Sequence, residues 1–182
     1  MTNLLGRSFV AGAIAALLAE PAIASTQGSF GATSTGTVSI NASVPGRVRI
    51  SGLSDVTFAN ADPSADASNA QSVCVWSNTS TRGYSITATG SGTGNAFTLA
   101  NGANAPVPYS VEWAPSPALT TGTELTEATA LTGLTSTAIN ADCSAGPAAS
   151  ASLIVSIGSS DLQGMVSGVD YTGTLTLVVA PE

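Results

Sequence analysis

The chain has 182 residues, of which 43% are hydrophobic, 8% are charged and 5% are aromatic. It carries 4 basic and 11 acidic residues, so it lacks the basic surface that neutralises nucleic-acid phosphates. The absence of histidine excludes histidine-dependent catalytic triads and zinc–histidine sites. These counts favour a non-enzymatic protein with no catalytic residues, no cofactor, no dedicated metal site and no nucleic-acid partner.

The N-terminus has the three parts of a secretory signal. Arg7 provides the positive flank, residues 9–19 form an apolar segment, and Ala22-Ile23-Ala24 provides a small-x-small cleavage site. The apolar segment is too short to span a bilayer. We therefore predict a signal peptide at residues 1–24, export of the chain, and a single domain at residues 25–182 that is not inserted into a membrane.

Cys74 and Cys143 are the 2 cysteines of the chain. In an oxidising compartment such a pair predicts one structural disulfide. Such a disulfide would close the long loop between positions 74 and 143. In the chain-entropy model, closing a loop of that length raises the free energy of the unfolded state by about 4 kcal/mol. A catalytic thiol is the competing interpretation, but no histidine or lysine is available to lower its pKa.

The rest of the sequence has no helical periodicity and is typical of short strands separated by turns. Residues 37–44 alternate polar and apolar side chains, as a strand with one buried face does. Residues 60–66 and 90–95 are rich in turn formers. Further strands are predicted at residues 47–50, 55–58, 72–77, 84–89, 109–113, 152–157 and 174–179.

The segment at residues 120–137 is open to more than one interpretation. Residues 124–131 fit a short helix, whereas the surrounding threonine and glycine favour a loop or short strands. The total of roughly eight to ten short strands in one domain predicts an antiparallel β-sandwich.

Two acidic pairs, at positions 62 and 66 and at positions 124 and 127, are candidates for calcium binding. Their spacing matches no dedicated calcium loop, so solvated carboxylates are the favoured interpretation.

Two tryptophans and one asparagine are candidates for contacts with sugars. Trp76 and Trp113 fit a sugar-binding platform, although tryptophans in strands usually belong to the core, which we favour. Asn78-Thr79-Ser80 matches the acceptor pattern for N-glycosylation.

The first and last predicted strands each have one apolar face. The face of the first consists of Val38, Ile40, Ala42 and Val44, and that of the last of Leu175, Leu177 and Val179. A strand beside a flexible polar tail can pair within its own sheet or fill the open edge of another copy, because backbone hydrogen bonds give affinity in both cases. The strands carry few charges to prevent edge-to-edge pairing. On this physical argument alone both arrangements are open.

The C-terminal sequence Gly168-Val169-Asp170-Tyr171-Thr172-Gly173, followed by the last alternating strand, resembles the ending of chaperone-usher pilus subunits. The resemblance is to the archaic group related to the spore coat protein U domain, in which a Gly-x-x-Tyr turn leads into the final strand. Residues 35–44 resemble the N-terminal donor strand of that group, and residues 97–99 and 109–111 are similar to its middle. Many such subunits have a cysteine just after the donor strand, where this chain has Pro45-Gly46-Arg47.

This resemblance implies an incomplete immunoglobulin-like sandwich, completed by a strand from a periplasmic chaperone and then from the next subunit. Val38, Ile40, Ala42 and Val44 are then the donor strand. Leu175, Leu177 and Val179 line the acceptor groove. The expected partners are other copies or related pilus subunits, a chaperone and an outer-membrane usher, and the expected route is through the periplasm to a fimbria on the cell surface or outside the cell.

Two alternatives are open at this stage. One is a self-complete secreted β-sandwich that binds carbohydrate or protein. The other is a secreted hydrolase, which is disfavoured because the chain has no histidine and no paired catalytic carboxylates.

Overall fold

A computed structural model of the chain describes residues 25–182, and the predicted signal peptide at residues 1–24 lies outside this range. The described chain divides into two units, residues 25–44 and Pro45–Glu182. In the first unit, Thr26 and Thr37 exchange two backbone hydrogen bonds of 3.0 Å. Residues 38–44 do not form the predicted strand, because no neighbouring backbone pairs with them in the described chain.

The second unit is an antiparallel β-sandwich, which confirms the predicted fold class. Its strands are β1 (Val48–Ser51), β2 (Ala67–Ser77), β3 (Gly83–Gly90), β4 (Thr98–Leu99), β5 (Val107–Pro108), β6 (Ser110–Ala114), β7 (Thr123–Glu124), β8 (Ala130–Thr135), β9 (Ala151–Ile157) and β10 (Leu175–Pro181). One sheet has the order β1-β2-β9-β6-β7 and another the order β10-β3-β8, while β4 and β5 form a two-stranded ribbon. Every strand pair is antiparallel.

The core lies between the five-stranded and the three-stranded sheet. Alternate residues of each strand point inward, since side chains in a strand alternate between the two faces. The five-stranded sheet contributes fully buried Val73, Val75, Val111 and Trp113. The three-stranded sheet contributes Tyr84, Ile86 and Ala88, which alternate along the strand predicted at residues 84–89.

Two predicted elements differ from the structure. Residues 55–58 form no strand, because no backbone in the described chain pairs with them. The side chain of Gln71 holds the preceding residue instead: Gln71 Oε1 accepts from the Ser54 amide at 2.8 Å, and Gln71 Nε2 donates to the Ser54 carbonyl at 3.0 Å. The connection after β9 contains a short helix, α1 (Ser159–Gln163), that was not predicted. In the ambiguous segment, β7 and β8 show that short strands form.

The predicted disulfide between Cys74 and Cys143 is confirmed. It lies on the face of β2 opposite the main core, where Ala138 and Trp76 pack against it. The long loop after β8 is also held to β2 by buried Ser150, whose hydroxyl accepts from the Val75 amide and donates to the Val75 carbonyl, both at 2.8 Å. The pairing of β2 with β9 stops at Val73. Beyond that point, the hydrogen bonds of Ser150 hold the backbone of β2 instead.

Candidate subunit interface

The sandwich has one side on which two edge strands lie next to each other without pairing. β1 ends the five-stranded sheet, β10 ends the three-stranded sheet, and Cα atoms of the two strands approach within 8 Å. Each strand therefore has one backbone edge with no strand paired to it in the described residues. Unpaired edges of this kind are templates for an added strand.

The apolar residues of these two edge strands are only half-buried. Leu175, Leu177 and Val179 alternate with exposed neighbours along β10 and pack against the core. Val48 and Ile50 do the same along β1. The core is thus less covered at this side than under the central strands, where the corresponding residues are fully buried. Sequence reasoning proposed the β10 residues as a groove and missed those of β1, because residues 47–50 are a short alternating run with no further signal.

The proposed donor residues lie in the other unit of the chain. Val38 is 73% exposed, Ile40 86% and Val44 83%, and Ala42 is exposed as well. Each large apolar side chain that stays in water forgoes about 2 kcal/mol of the free energy that full burial would provide. These side chains are therefore available to a binding site of strand shape.

The carboxylates considered for calcium serve as local acceptors. Asp62 Oδ1 accepts from the Ser64 amide at 2.9 Å, and Asp66 Oδ1 accepts from the Ser159 amide at 2.7 Å. These hydrogen bonds lower the pKa of both carboxyl groups, because they favour the charged form. Within residues 25–182 no group of three His, Cys, Asp or Glu side chains is arranged to hold a metal ion.

The second acidic pair lines a shallow pocket of about 360 Å³. Glu124 and Glu127 line it together with Asp161, Phe97 and Tyr109. The two rings stack with centroids 5.7 Å apart. The pKa of Tyr109 is raised, first by burial and then by the negative charge of Glu127. Aromatic rings and carboxylates line the pocket together, a combination that suits a cationic group.

The two tryptophans have different environments. Trp113 is 0% exposed, so it belongs to the core and cannot present a platform to a sugar. Trp76 is half-buried beside the disulfide. In the glycosylation candidate Asn78, the side-chain Nδ2 donates a hydrogen bond to the Pro45 carbonyl at 2.9 Å. The nitrogen atom to which a sugar would be attached is therefore already hydrogen-bonded.

Comparison of the chain with models of protein families found no match, and a search of curated proteins found no significant similarity. In the part of the chain that the structure describes, no helix has the length and apolar character needed to cross a membrane.

Proposed function

We propose that this protein is a secreted, non-enzymatic subunit of a surface fibre that assembles by donor-strand exchange. Residues 37–44 of one copy occupy the open side of the sandwich of the next copy. Val38, Ile40, Ala42 and Val44 insert between the sheets, and Leu175, Leu177 and Val179 receive them. A periplasmic chaperone fills the same position before assembly, an usher carries the subunits across the outer membrane, and the fibre contributes to adhesion.

One observation carries this proposal. The same chain has an exposed segment with alternating apolar residues, at 37–44, and an edge strand, β10, whose apolar residues are only half-buried. Ile40 is 86% exposed, while Leu177 is half-buried on an edge strand whose outer backbone is unpaired in the described residues. Placing one on the other removes both apolar surfaces from water and pairs both backbones.

The lengths of the two segments are similar. β10 has 7 residues, and the proposed donor, residues 37–44, is one residue longer. At about 3.3 Å per residue they span about 23 Å and about 26 Å, so the donor is long enough to cover the acceptor edge.

The test is deletion of residues 35–44 from the full chain, followed by electron microscopy of the purified, exported protein. The deleted variant is expected to remain without fibres, while the parent chain forms them. A synthetic peptide of residues 35–44 is expected to bind the deleted variant and raise its melting temperature, whereas a peptide with Asp at positions 38 and 40 does not. Fibres formed by the deleted variant would overturn the mechanism.

A self-complete binding module is the second candidate, and the pocket beside Tyr109 favours it. The rings of Phe97 and Tyr109 and the carboxylates of Glu124, Glu127 and Asp161 line this pocket and suit a cationic ligand. Trp76 offers a further half-buried ring elsewhere on the sandwich. Titration of the monomer with glycans and with arginine, followed by NMR, separates the candidates. Saturable binding by a chain that never polymerises would favour the module.

A further inference from the structure

The arginines of the sandwich all lie at one of its ends. They are Arg47, Arg49 and Arg82, and residues 25–182 contain no other arginine and no lysine. Arg47 and Arg49 are exposed at the start of β1, and Arg82 is exposed in the turn that follows β2. Because β1 pairs with the C-terminal end of β2, the three side chains lie at the same end of the sandwich.

The pocket beside Tyr109 lies at the opposite end. Its lining includes Ser156, which pairs with Ser68 near the start of β2. Val48, the first residue of β1, pairs with Ser77 at the other end of β2. At about 3.3 Å per residue, Ser68 and Ser77 are about 30 Å apart, several times the length of an arginine side chain. The arginines of one copy therefore cannot reach their own pocket.

The hydroxyl of Tyr109 opens into this pocket without a partner. Tyr109 is only 9% exposed, and its hydroxyl makes no hydrogen bond to any of residues 25–182. Since no fully buried polar side-chain atom of these residues lacks a partner, this hydroxyl is not enclosed and faces the space of the pocket. Burial raises the pKa of the hydroxyl, and the nearby charge of Glu127 raises it further. An N–H donor that entered the pocket would meet this acceptor beside a carboxylate.

An arginine side chain fits this lining better than a metal ion does. The planar guanidinium has several N–H donors, so it can bind the Tyr109 hydroxyl and the Glu127 carboxylate together. Its face can stack on an aromatic ring, and Phe97 and Tyr109 supply two. A metal ion would require a converging set of carboxylates, which is absent from residues 25–182.

The proposed fibre brings one end of a copy to the pocket of another. Every strand pair of the sandwich is antiparallel, so a donor strand that joins β10 in the same sense ends beside Leu175, the first residue of β10. That end is close to the pocket. A Cβ built on Gly173 would lie 2.8 Å from the carbonyl oxygen of Thr98, the residue after Phe97.

Arg47 is the first cationic residue after the donor strand. It follows Val44 by three positions, so in a fibre its Cα lies at most about 11 Å from the end of the donor, whatever path the chain takes. Its own sandwich holds its backbone: the Arg47 amide donates to Asn78 Oδ1 at 2.6 Å, and its carbonyl accepts from the Asn78 amide at 3.0 Å. The side chain is exposed and free to point at a neighbour.

We propose that the pocket beside Tyr109 binds the guanidinium group of Arg47 from the next copy in the fibre. The Glu127 carboxylate and the Tyr109 hydroxyl accept its N–H groups, and Glu124 and Asp161 add negative charge around it. The contact adds affinity to donor-strand binding and fixes how one subunit is oriented on the next. This inference rests on the proposed function, since the donor strand brings Arg47 to the pocket.

The experiment compares two synthetic peptides on the chain that lacks residues 35–44, which form no strand of the sandwich. One peptide contains residues 35–44 and the other residues 35–47, so the second adds Pro45-Gly46-Arg47. In calorimetry at low salt, we expect the longer peptide to bind about tenfold more tightly. The gain is expected to shrink at an ionic strength of about 1 M, where the screening length is about 3 Å.

Matched substitutions locate the gain. The longer peptide with Arg47→Gln is expected to bind like the shorter one, and this change raises no question of folding. In the receptor chain, Glu127→Gln and Tyr109→Phe should reduce the gain and leave binding of the shorter peptide unchanged. Asp142→Asn is the control, because it removes an exposed carboxylate beside the disulfide, at the end where the arginines lie. It should retain the full gain.

The full chain provides a second measurement. Arg47→Gln is expected to slow fibre growth about tenfold, as followed by light scattering and electron microscopy. The inference is overturned if the longer peptide binds no more tightly than the shorter one, if its Arg47→Gln form keeps the gain, or if Glu127→Gln and Asp142→Asn reduce the gain equally. Failure of the shorter peptide to bind, together with a parent chain that never forms fibres, would instead reject the proposed function and the inference with it.

Discussion

Trp113 Nε1 donates a hydrogen bond of 3.1 Å to the hydroxyl of Tyr84, and this bond joins the two sheets across the core. Trp113 lies on β6 and Tyr84 on β3, and both side chains are 0% exposed. Burial raises the pKa of the Tyr84 hydroxyl, and the bond from Trp113 opposes this shift. The two polar atoms satisfy each other in a region that is otherwise apolar.

Removal of this hydroxyl is expected to destabilise the sandwich. Tyr84→Phe leaves the indole N–H buried without a partner, which costs about 1–3 kcal/mol of the free energy of unfolding. Urea denaturation followed by tryptophan fluorescence measures the change. Tyr171→Phe is the control, because its hydroxyl accepts an exposed bond from the Val166 amide and its loss costs less. Equal effects of the two substitutions would contradict the buried role of the Tyr84 hydroxyl.

The disulfide is expected to be a major source of stability. Its cysteines are 69 positions apart, and a closed loop of this size contributes about 4 kcal/mol in the chain-entropy model. We expect a double Cys74→Ser, Cys143→Ser variant to unfold at a clearly lower urea concentration than the oxidised protein. Reduction of the parent with dithiothreitol should produce a similar shift, and the double variant should not respond to the reductant. An unchanged midpoint would show that the covalent link contributes little.

Acid is expected to weaken the attachment of α1 to the loop before β2. Asp66 accepts from the Ser159 amide, and this bond lowers the pKa of the carboxyl group below its ordinary value of 3.8. A group with a lowered folded pKa contributes stability that is present above the unfolded pKa and is lost as the pH falls through the folded pKa. The melting temperature should therefore fall below about pH 4.

Asp66→Asn isolates the contribution of this carboxylate. The amide oxygen of Asn still accepts a hydrogen bond but does not titrate. We expect the variant to lose less stability than the parent as the pH is lowered from about 5, above the unfolded pKa, through the lowered folded pKa. Calorimetry at each pH measures this difference. Identical pH profiles of the two proteins would contradict the linkage.

Neighbouring residues of β10 test the groove without altering the termini. Leu177 is half-buried on the inner face, whereas Val178 is 57% exposed on the outer face. Leu177→Asp is expected to abolish fibres and peptide binding, because it places a charge where the donor side chains insert. Val178→Asp is the matched control and should retain both. If Val178→Asp blocks assembly as strongly as Leu177→Asp, the inner face of β10 is not the acceptor.

Local pattern was sufficient for the fold class because most strands here have one buried face. Tyr84, Ile86 and Ala88 alternate with polar residues, and this alternation alone predicted β3 and its core-facing side. Local pattern failed where a segment finds no partner strand. Residues 55–58 alternate as a strand does, yet no backbone in the described chain pairs with them, and the preceding Ser54 is held by the side chain of Gln71.

By itself, the sequence determined the acidic, histidine-free composition, the antiparallel β-sandwich, the pairing of its 2 cysteines and the alternating faces of its strands. These properties follow from residue counts and from a two-residue period, both of which are local. Only the tertiary structure decided that β1 and β10 are adjacent unpaired edges and that Asn78 binds the Arg47 amide. Such relationships join residues that are distant in the chain, and they exist only after the two sheets have packed around a common core.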